Sequence, residues 1–339
     1  MITRRKLLYT SALAVTGSFL PFSLNGCTEH EPTNVVDESP EERVLLTFLF
    51  DTVINIKAHC PQEVLDLVEE RLIYFENTFS KTIEGSDIYR INHAAGAATT
   101  VKPETADLIS KALQYCELSG GLFDITIGGV VDLWDFVNGV IPDANTLAEA
   151  LNHVNYHNVT VDENVVTVSD PLSRIDLGAI AKGYITDDIT NLMKEHGCES
   201  ALINLGGNTY ALGVKPDGSD WRVGIQDPHK ATGTSFGTVT VTNKSIVTSG
   251  INERSFKKDG ITYYHLLDPR TGMPAQSGLA STSIISNLSL DGDAFSTITF
   301  IMGLQEGLQA VESYGGLEAI FIDDQGKETV TENLEFNLI

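Results

Sequence analysis

Short runs of β-branched and apolar residues, separated by tight-turn sequences, fill the second half of this chain. Between Ser200 and Ser286 the runs are divided by Gly-Gly, Pro-Asp-Gly, Lys-Asp-Gly and Asp-Pro-Arg-Thr-Gly. These residues tolerate or preset the backbone angles that turns require, so each such sequence marks a turn between strands. We therefore predict a strand-rich region from 200 to 286.

Helical patterns flank this region. Apolar residues recur at helical spacing from 62 to 79, and Pro103 opens a helix at 103–119, because a proline is well tolerated at the first helical position. Further helices are predicted at 143–153, 180–196 (with Gly197 as C-terminal cap), 291–302 and 305–314, and further strands at 44–58, at 157–169 as a hairpin, and at 318–323. Helices and strands mix without a regular βαβ alternation, which predicts an α+β fold with mixed, largely antiparallel sheets and packed helices. No G-x-G-x-x-G sequence follows a predicted strand, which argues against a nicotinamide-binding Rossmann enzyme.

The N-terminal sequence is typical of an exported lipoprotein. Arg4–Lys6 form a basic segment, and Leu7–Leu20 form an apolar segment of signal-peptide length that is short for a bilayer span. Leu24–Cys27 resembles a lipobox, in which the cysteine is acylated and becomes the first mature residue; a simple secretory signal with a chance cysteine is the alternative. We predict a signal peptide at 1–26, a lipid-anchored tether at 27–43 and a folded domain at 44–339. The protein is then exported and anchored through Cys27 to the outer or periplasmic side of the cell membrane.

Charge and cysteine content narrow the choice of partners. A net charge of −24 argues against nucleic acid or an anionic membrane surface as the main partner, and the plainest interpretation is a solvated acidic surface. An acidic protein that binds an anionic cofactor must neutralise it locally, so a metal ion or a helix N-terminus is then expected. Cys60, Cys116 and Cys198 are odd in number and form no C-x-x-C pair, so we expect buried thiols rather than a disulfide framework or a zinc site.

Two segments carry groups that suit phosphate chemistry. Asp293 and Thr297 are four residues apart in a predicted helix and therefore share a face. A carboxylate with a hydroxyl suits Mg²⁺, although an aspartate in a first helical turn also serves to offset the helix dipole. Asp176–Tyr184 is a glycine-containing entry to the helix at 180–196, where unpaired N–H groups and Lys182 can bind an anion; an ordinary strand-to-helix turn is the alternative.

Other turn segments allow a ligand to approach the backbone closely. They are Ser119–Asp124, Asn204–Gly207 and Thr248–Gly250, although each is commonly a plain turn. His265 precedes the rigid polar turn Asp268–Gly272, which can hold an imidazole at a pocket mouth. The alternative for this residue is a structural histidine.

Taken together and in order, these segments resemble one protein family. The matching segments are 79–80, 86–92, Ser119–Asp124 with Leu133–Trp134, Asp176–Tyr184, Ala201–Gly207, Trp221–Pro228, Thr248–Gly250, His265–Gly272 and Asp293–Thr297. They resemble the ApbE family, the FAD:protein FMN transferases, over about residues 45–323, and the segments at 176–184 and 265–272 are the most specific. The resemblance implies an ApbE-like architecture related to the T-fold, and members of the family are commonly periplasmic lipoproteins.

The resemblance also implies a reaction and a set of site residues. A threonine hydroxyl of an acceptor flavoprotein, expected to be a subunit of a membrane redox complex, attacks the FMN-side phosphorus of FAD. AMP leaves, and Mg²⁺ offsets the charge that develops on the pyrophosphate. By their match to the family motifs, the metal ligands are Asp293, Thr297 and the carbonyl of Ala179, and the FAD-contacting residues are Phe50, Leu122, Phe123, Asp124, Asp176 and Lys182. His265 matches the histidine proposed to assist the acceptor hydroxyl. By strand alternation Leu267 faces the same way as His265, and it joins the FAD-contacting residues.

The chain departs from the family pattern in ways that leave alternatives open. Phe50–Thr52 stands where the family has Met-Gly-Thr, and Thr82 stands where many relatives have tyrosine. Some relatives that vary near the latter point hydrolyse FAD to FMN and AMP, so a Mg²⁺-dependent FAD pyrophosphatase is one alternative function. A lipid-anchored flavin-binding protein without chemistry is another, although simple binding requires neither a metal pair nor His265. Asp291 is either an additional metal ligand or a helix cap.

Overall fold

The computed structural model describes residues 41–339, so the predicted signal peptide, Cys27 and most of the tether lie outside the described residues. The helices are α1 Gln62–Phe79, α2 Asp87–Asn92, α3 Pro103–Leu118, α4 Gly128–Val131, α5 Ala144–Leu151, α6 Ala181–Glu195, α7 Ser289–Met302 and α8 Leu304–Tyr314. The strands are β1 Glu42–Leu49, β2 Thr52–His59, β3 Thr99–Thr100, β4 Val159–Asp162, β5 Val165–Val168, β6 Ala201–Leu205, β7 Asn208–Leu212, β8 Trp221–Gln226, β9 Ser235–Val241, β10 Lys244–Gly250, β11 Ser255–Lys258, β12 Ile261–Tyr264, β13 Leu279–Ser286, β14 Glu318–Asp323, β15 Glu328–Val330 and β16 Phe336–Leu338. Within residues 41–339 no helix is long and apolar enough to cross a membrane.

A central eight-stranded sheet organises the fold. Its strands lie in the order β1-β2-β6-β7-β10-β13-β14-β15, and every neighbouring pair is antiparallel. Smaller sheets are formed by β16-β9-β8, by β3-β5-β4 and by the hairpin β11-β12. The predicted α+β class with largely antiparallel sheets is therefore confirmed.

The two faces of the central sheet are covered differently. One face packs against helices, chiefly α1, α6 and α7, in the main apolar core. The other face packs against the β16-β9-β8 sheet. The second core between them consists of Ala211, Trp221, Ile225, Val239, Val241, Ile246, Ile285, Ile320 and Ile322. This second core draws on β7, β10, β13 and β14, so the small sheet covers only part of that face.

Helix α1 illustrates how the spacing of apolar residues predicts the helices. Val64, Leu65, Val68, Leu72 and Phe75 are all buried and recur every three to four residues, which places them on one stripe facing the core. The predicted helix at 62–79 is confirmed, and the helices predicted from 103, 180 and 291 match α3, α6 and α7 within two residues. The predicted strand at 318–323 coincides with β14.

The single strand predicted at 44–58 is wrong. The chain instead forms a hairpin, in which β1 and β2 pair from Leu49↔Thr52 outwards. The turn consists of Phe50 and Asp51, both in the left-handed region, with φ of 54° and 56°. A two-residue hairpin of this kind favours Asn-Gly or Asp-Gly, so Phe-Asp gives no turn signal and the apolar pattern continues through the turn.

Several short elements were not predicted, among them α2, α4, β15 and β16. Each has six residues or fewer, which is too short for an apolar repeat to be recognised over a window of 11 to 18 residues. Helix α2 is instead begun by a local cap, in which the Ser86 hydroxyl accepts a hydrogen bond from the Tyr89 N–H at 3.2 Å.

Candidate active site between two helices

Helices α6 and α7 approach each other closely at Gly183. A Cβ atom at this position would lie 2.5 Å from the Ser289 carbonyl oxygen and 2.8 Å from both the Asp293 Cβ and the Leu290 Cα. Only glycine fits there without a shift of backbone. The contact brings the start of α6 against the first turns of α7.

This approach positions the Asp293 carboxylate. Its Oδ2 accepts the Gly183 N–H at 2.7 Å, and its Oδ1 lies 3.7 Å from the Lys182 Nζ. The residue is only 4% exposed. A buried carboxylate needs such partners, because burial without them strongly disfavours its charge.

The same hydrogen bond changes the start of α6. In a regular helix the Gly183 N–H would bond to the carbonyl of Ala179, four residues earlier. Because it bonds to Asp293 instead, the Ala179 carbonyl oxygen has no backbone donor among residues 41–339. It remains available as a neutral oxygen ligand beside the carboxylate.

Thr297 lies one helical turn after Asp293 on α7 and is half-buried. The Thr297 Oγ1 is 3.4 Å from the hydroxyl of Ser249 at the end of β10, and this hydroxyl also bonds to the Ser296 Oγ at 2.9 Å. The carboxylate, the Ala179 carbonyl and these hydroxyls are hard oxygen donors, the kind that Mg²⁺ and Ca²⁺ prefer. Residues 41–339 contain no group of three or more His, Cys, Asp or Glu side chains placed to hold a metal, so Asp293 is the charged member of this set.

Some amides at the entry to α6 are already hydrogen-bonded, whereas those of Ala179 and Lys182 have no acceptor within residues 41–339. The N–H of Ala181 bonds to Leu177, that of Gly183 to Asp293 and that of Tyr184 to Ile180. The ammonium of Lys182, held by the Gly178 carbonyl at 3.1 Å, is a further group here that can attract an anion, and the predicted anion site stays a prediction.

Two further carboxylates fix α7 in place. The Asp187 carboxylate on α6 accepts the N–H groups of Ser289 and Leu290 at 2.7 and 2.9 Å, so it caps α7 from the neighbouring helix. Burial raises the pKa of Asp187 to about 6. Asp291 accepts hydrogen bonds from the Tyr115 and Tyr314 hydroxyls. Asp291 therefore anchors two tyrosines, and its role as an additional metal ligand or a helix cap stays a prediction.

His265 follows directly after β12, and its side chain is 29% exposed. Burial lowers the pKa of His265 to about 4, and the positive charges of Arg254 and Lys182 act in the same direction. The imidazole is therefore neutral at physiological pH and able to accept a proton. Its Nδ1 is buried and has no hydrogen-bond partner within residues 41–339.

Glu253 connects His265 to the α6–α7 contact, and sequence analysis did not single it out. Its Oε2 lies 4.0 Å from the His265 Nε2, and a Cβ on Gly207 would lie 3.4 Å from its Oε1. Burial raises the pKa of Glu253, while the charges of Lys182 and Asp293 act on it in opposite directions. An acidic residue three positions after Gly250 carries no pattern that would have identified it.

Asp176 and Asp124 lie on adjacent segments, joined by the Asp176 N–H to the Ile125 carbonyl at 2.8 Å. The Asp176 Oδ2 is 2.7 Å from the Lys81 Nζ, which also contacts Asp132. Burial opposes the charge of Lys81, but the two carboxylates outweigh it and raise the pKa of this lysine. The Asp176 Oδ1 accepts the Gly178 N–H, which orients the turn leading to Ala179.

The remaining predicted FAD-contacting residues are placed largely by packing. Asp124 accepts three hydrogen bonds from Thr126 and Tyr156, and burial raises its pKa. Phe123 is 4% exposed and packs edge-to-face on Tyr115, while Leu122 beside it is half-buried against the main core. Phe50 is half-buried at the tip of the β1–β2 hairpin, where its N–H donates to Glu76 at 3.1 Å.

Leu267 does not face the same environment as His265. Strand β12 ends at Tyr264, so alternation does not extend to 267. The Leu267 side chain is buried in a separate apolar cluster with Val130, Trp134 and Leu147. The strand alternation from which the shared orientation was predicted is therefore absent, and the prediction that Leu267 contacts FAD stays a prediction.

The structure thus brings Ala179, Lys182, Asp293 and Thr297 to one contact and links His265 to it through Glu253. A model of the ApbE family matches residues 50–321. This chain belongs to the ApbE family. The resemblance inferred from the motifs is confirmed.

Members of the ApbE family are similar to this chain along most of its length. A FAD:protein FMN transferase of Treponema pallidum is 35% identical over 279 residues, which cover 77% of this chain and 76% of that relative. A relative of the same name from Klebsiella pneumoniae is 34% identical over 280 residues, covering 81% of this chain and 87% of the relative. The crystal structure of the ApbE protein from Thermotoga maritima matches with a TM-score of 0.79 and 30% identity, over 86% of this chain and 97% of that one. The apo form of the Pseudomonas stutzeri flavinyl transferase ApbE matches with a TM-score of 0.77 and 26% identity, over 87% and 96% of the two chains.

The structure shows the surroundings of Asp51 and Thr82, the two departures from the ApbE pattern. Asp51, which stands where the family has glycine, has a φ of 56°, a conformation that glycine adopts freely and aspartate tolerates better than most residues. Thr82 lines a small cavity of about 160 Å³ together with Lys81, Asn92, His93, Asp132 and Arg174. Lys81, which lines the same cavity, also pairs with Asp176.

Proposed function

We propose that this chain transfers FMN from FAD to a threonine hydroxyl of an acceptor flavoprotein and releases AMP. Relatives that carry the name FAD:protein FMN transferase support the reaction class. The observation that carries the proposal is the α6–α7 contact, because it places a cation, Lys182, and a set of hard oxygen donors side by side. Such a combination suits a pyrophosphate substrate.

We propose that the reaction uses Mg²⁺, bound by oxygen donors of the α6–α7 contact. Asp293, Thr297 and the carbonyl of Ala179 would hold it, since all three present oxygen and Mg²⁺ prefers oxygen ligands. When bound, the ion offsets negative charge on the phosphate oxygens. Lys182 would bind the pyrophosphate, and Asp176 with Lys81 would keep the turn before Ala179 in position.

The chemical step breaks one P–O bond and forms another. The threonine oxygen bonds to the FMN-side phosphorus, and the bond from that phosphorus to the bridging oxygen of AMP breaks. The threonine proton must be accepted, and His265 is suited to do so because it is neutral and partly exposed.

One incubation tests the proposal against its alternatives. The protein is mixed with FAD, Mg²⁺ and the soluble domain of a redox-complex subunit from the same organism, and protein and nucleotides are analysed by mass spectrometry. A mass gain of one FMN on the subunit, with AMP released, is expected. Free FMN with AMP would instead identify a pyrophosphatase, and unchanged FAD would identify a binding protein.

Replacing His265 with alanine is expected to lower the single-turnover rate of FMN transfer at least tenfold, with FAD affinity near normal. A positioned base typically contributes about 10²–10⁴-fold, and a threonine hydroxyl is a poor nucleophile without one. FAD titration and thermal melting serve as controls. Parallel losses of FAD affinity and melting temperature would assign His265 to the scaffold, and unchanged transfer would remove it from the mechanism.

The pH dependence of transfer follows from the same residue. Since its pKa lies below the usual 6.5, His265 stays neutral until the pH falls well below that value. We expect the transfer rate to stay level as the pH is lowered to 6.5 and to fall only in more acidic solution. The measurement is the single-turnover rate from pH 4 to 8 in wild type and His265→Ala. A fall in the transfer rate at acidic pH with a midpoint above 6.5, or a fall that persists in His265→Ala, would contradict the assignment of His265 as the base.

We propose that the protein is exported and anchored to the membrane through a lipid on Cys27, with an acceptor in a membrane redox complex. The basic, apolar and lipobox segments of the N-terminus support this proposal. Replacing Cys27 with serine is expected to release the protein from membranes or to block its processing. A variant that fractionates and migrates on a gel like wild type would exclude the lipid anchor.

A further inference from the structure

The β11–β12 hairpin places Glu253 and His265 beside each other. Its ladder ends at the pair Ser255↔Tyr264, and the His265 N–H extends it by donating to the Arg254 carbonyl at 3.1 Å. The backbone next to Glu253 is therefore tied directly to the backbone of His265. Their side chains approach to 4.0 Å between the Glu253 Oε2 and the His265 Nε2.

An incoming hydroxyl can reach the His265 ring at Nε2. The Nδ1 atom is buried and has no hydrogen-bond partner among residues 41–339, whereas the side chain as a whole is 29% exposed. The nitrogen that can accept a proton from an acceptor is therefore the one that faces Glu253. For Nε2 to do so, the neutral ring must carry its hydrogen on Nδ1.

Accepting a proton gives the ring a positive charge that most of its surroundings oppose. Burial lowers the pKa of His265, and the positive charges of Arg254 and Lys182 lower it further. The Glu253 carboxylate, 4.0 Å from Nε2, is placed to offset the new charge. A distance of 4.0 Å is too long for a hydrogen bond, but contacts of this kind often tighten when the substrate complex forms.

The position of Glu253 is not explained by the binding of FAD. Burial raises the pKa of this residue, while Lys182 lowers it and Asp293 raises it, so its charge is felt at the α6–α7 contact. A carboxylate near Lys182 repels an anionic pyrophosphate that binds there. A role in the chemical step gives a reason for a negative charge at this place, because it is in that step that the ring becomes positive.

We infer that Glu253 is a positioning residue for His265, which orients the ring and offsets the positive charge of the imidazolium. In the transfer step the threonine O–H bond breaks, its proton moves to the His265 Nε2, and the threonine oxygen bonds to the FMN-side phosphorus as AMP leaves. Glu253 stays a carboxylate throughout and accepts a charge-assisted hydrogen bond from the protonated ring. This inference rests on the proposed function, since only a base that takes up a proton needs a counter-charge.

The test is Glu253→Gln, which keeps the size of the side chain and removes its charge. We expect the single-turnover rate of FMN transfer to the redox-complex domain to fall about tenfold, and Glu253→Asp to recover part of the loss. The Kd for FAD should stay the same or decrease, because a charge that repels the pyrophosphate has been removed. The matched control is Asp259→Asn in the turn of the same hairpin, which removes one negative charge and should transfer FMN at the wild-type rate.

A double variant shows whether Glu253 acts through His265. In the His265→Ala background there is no ring to charge, so adding Glu253→Gln should change the rate by less than about twofold. A further loss of about tenfold in that background would overturn the inference, because Glu253 would then act independently of His265.

Other results would also overturn it. One is unchanged transfer by Glu253→Gln, and another is an equal loss in Asp259→Asn. Weaker FAD binding together with a lower melting temperature in Glu253→Gln would assign the residue to the scaffold instead. Failure of the proposed function would be seen in wild type itself, which would then transfer no FMN to the domain before any variant is compared.

Discussion

Replacing Asp293 with asparagine is expected to lower the rate of FMN transfer by about three orders of magnitude, because the proposed Mg²⁺ site would lose its charged ligand and several kcal/mol of charge stabilisation with it. Asparagine can still accept the Gly183 N–H through its side-chain oxygen, so the α6–α7 contact should survive. The measurement is single-turnover transfer as a function of Mg²⁺ concentration, and excess Mg²⁺ should restore part of the rate.

Three further variants make this test specific. Asp293→Ala should be equally inactive but less stable, because it leaves the buried Gly183 N–H without a partner, at a cost of about 1–3 kcal/mol. Thr297→Ala should be milder, since a neutral ligand contributes less charge stabilisation. Asp291→Asn is the matched control on the same helix, because that carboxylate bonds to tyrosines. A fully active Asp293→Asn enzyme at limiting Mg²⁺ would eliminate the site.

The second large effect is expected from Gly183→Ala. The added Cβ would overlap the Ser289 carbonyl, so α6 and α7 must separate. We expect a loss of about 2–3 kcal/mol in unfolding free energy, which lowers the melting temperature by roughly 5–10 °C. Transfer should fall about a hundredfold, because separating the two helices misplaces Lys182 and Asp293 relative to each other.

The control for this variant is Gly129→Ala on α4, where a Cβ would meet nothing within 4 Å. Alanine is the better helix former, so helix propensity alone favours both variants and cannot explain a loss. If Gly183→Ala melts and reacts like Gly129→Ala, the close approach of the two helices does not position the site.

Much of the fold followed from apolar periodicity, and its failures have specific physical causes. Helix α1 was predictable because its buried residues lie on one stripe over 18 residues. The β1–β2 hairpin was not predictable, because Phe50 and Asp51 adopt left-handed backbone angles and the sequence has no glycine there to indicate such a turn. In that case the turn geometry is imposed by strand pairing rather than by local preference.

The candidate site, like the fold, could be predicted from the sequence only in part. Asp293 and Thr297 were recognisable because helical spacing puts them on one face, and Lys182 because it stands at a helix entry. Glu253 was not, because only tertiary packing brings it to His265. Ser249 was singled out within the turn Thr248–Gly250, but its contact with Thr297 also depends on tertiary packing and was not predicted. The strand alternation assumed for Leu267 does not hold, because regular strand geometry stops at Tyr264.

The hydrogen bond from Gly183 to Asp293 has a consequence for how the site can be dissected. The oxygen that it leaves free belongs to the main chain, at a residue whose side chain is already a methyl group. Systematic alanine scanning is therefore blind to Ala179, and it would find two of the proposed metal ligands, the side chains of Asp293 and Thr297, but not the third, which the backbone supplies. The Ala179 carbonyl can instead be perturbed through Asp293, because the Asp293 carboxylate binds the Gly183 N–H that would otherwise bond to this carbonyl.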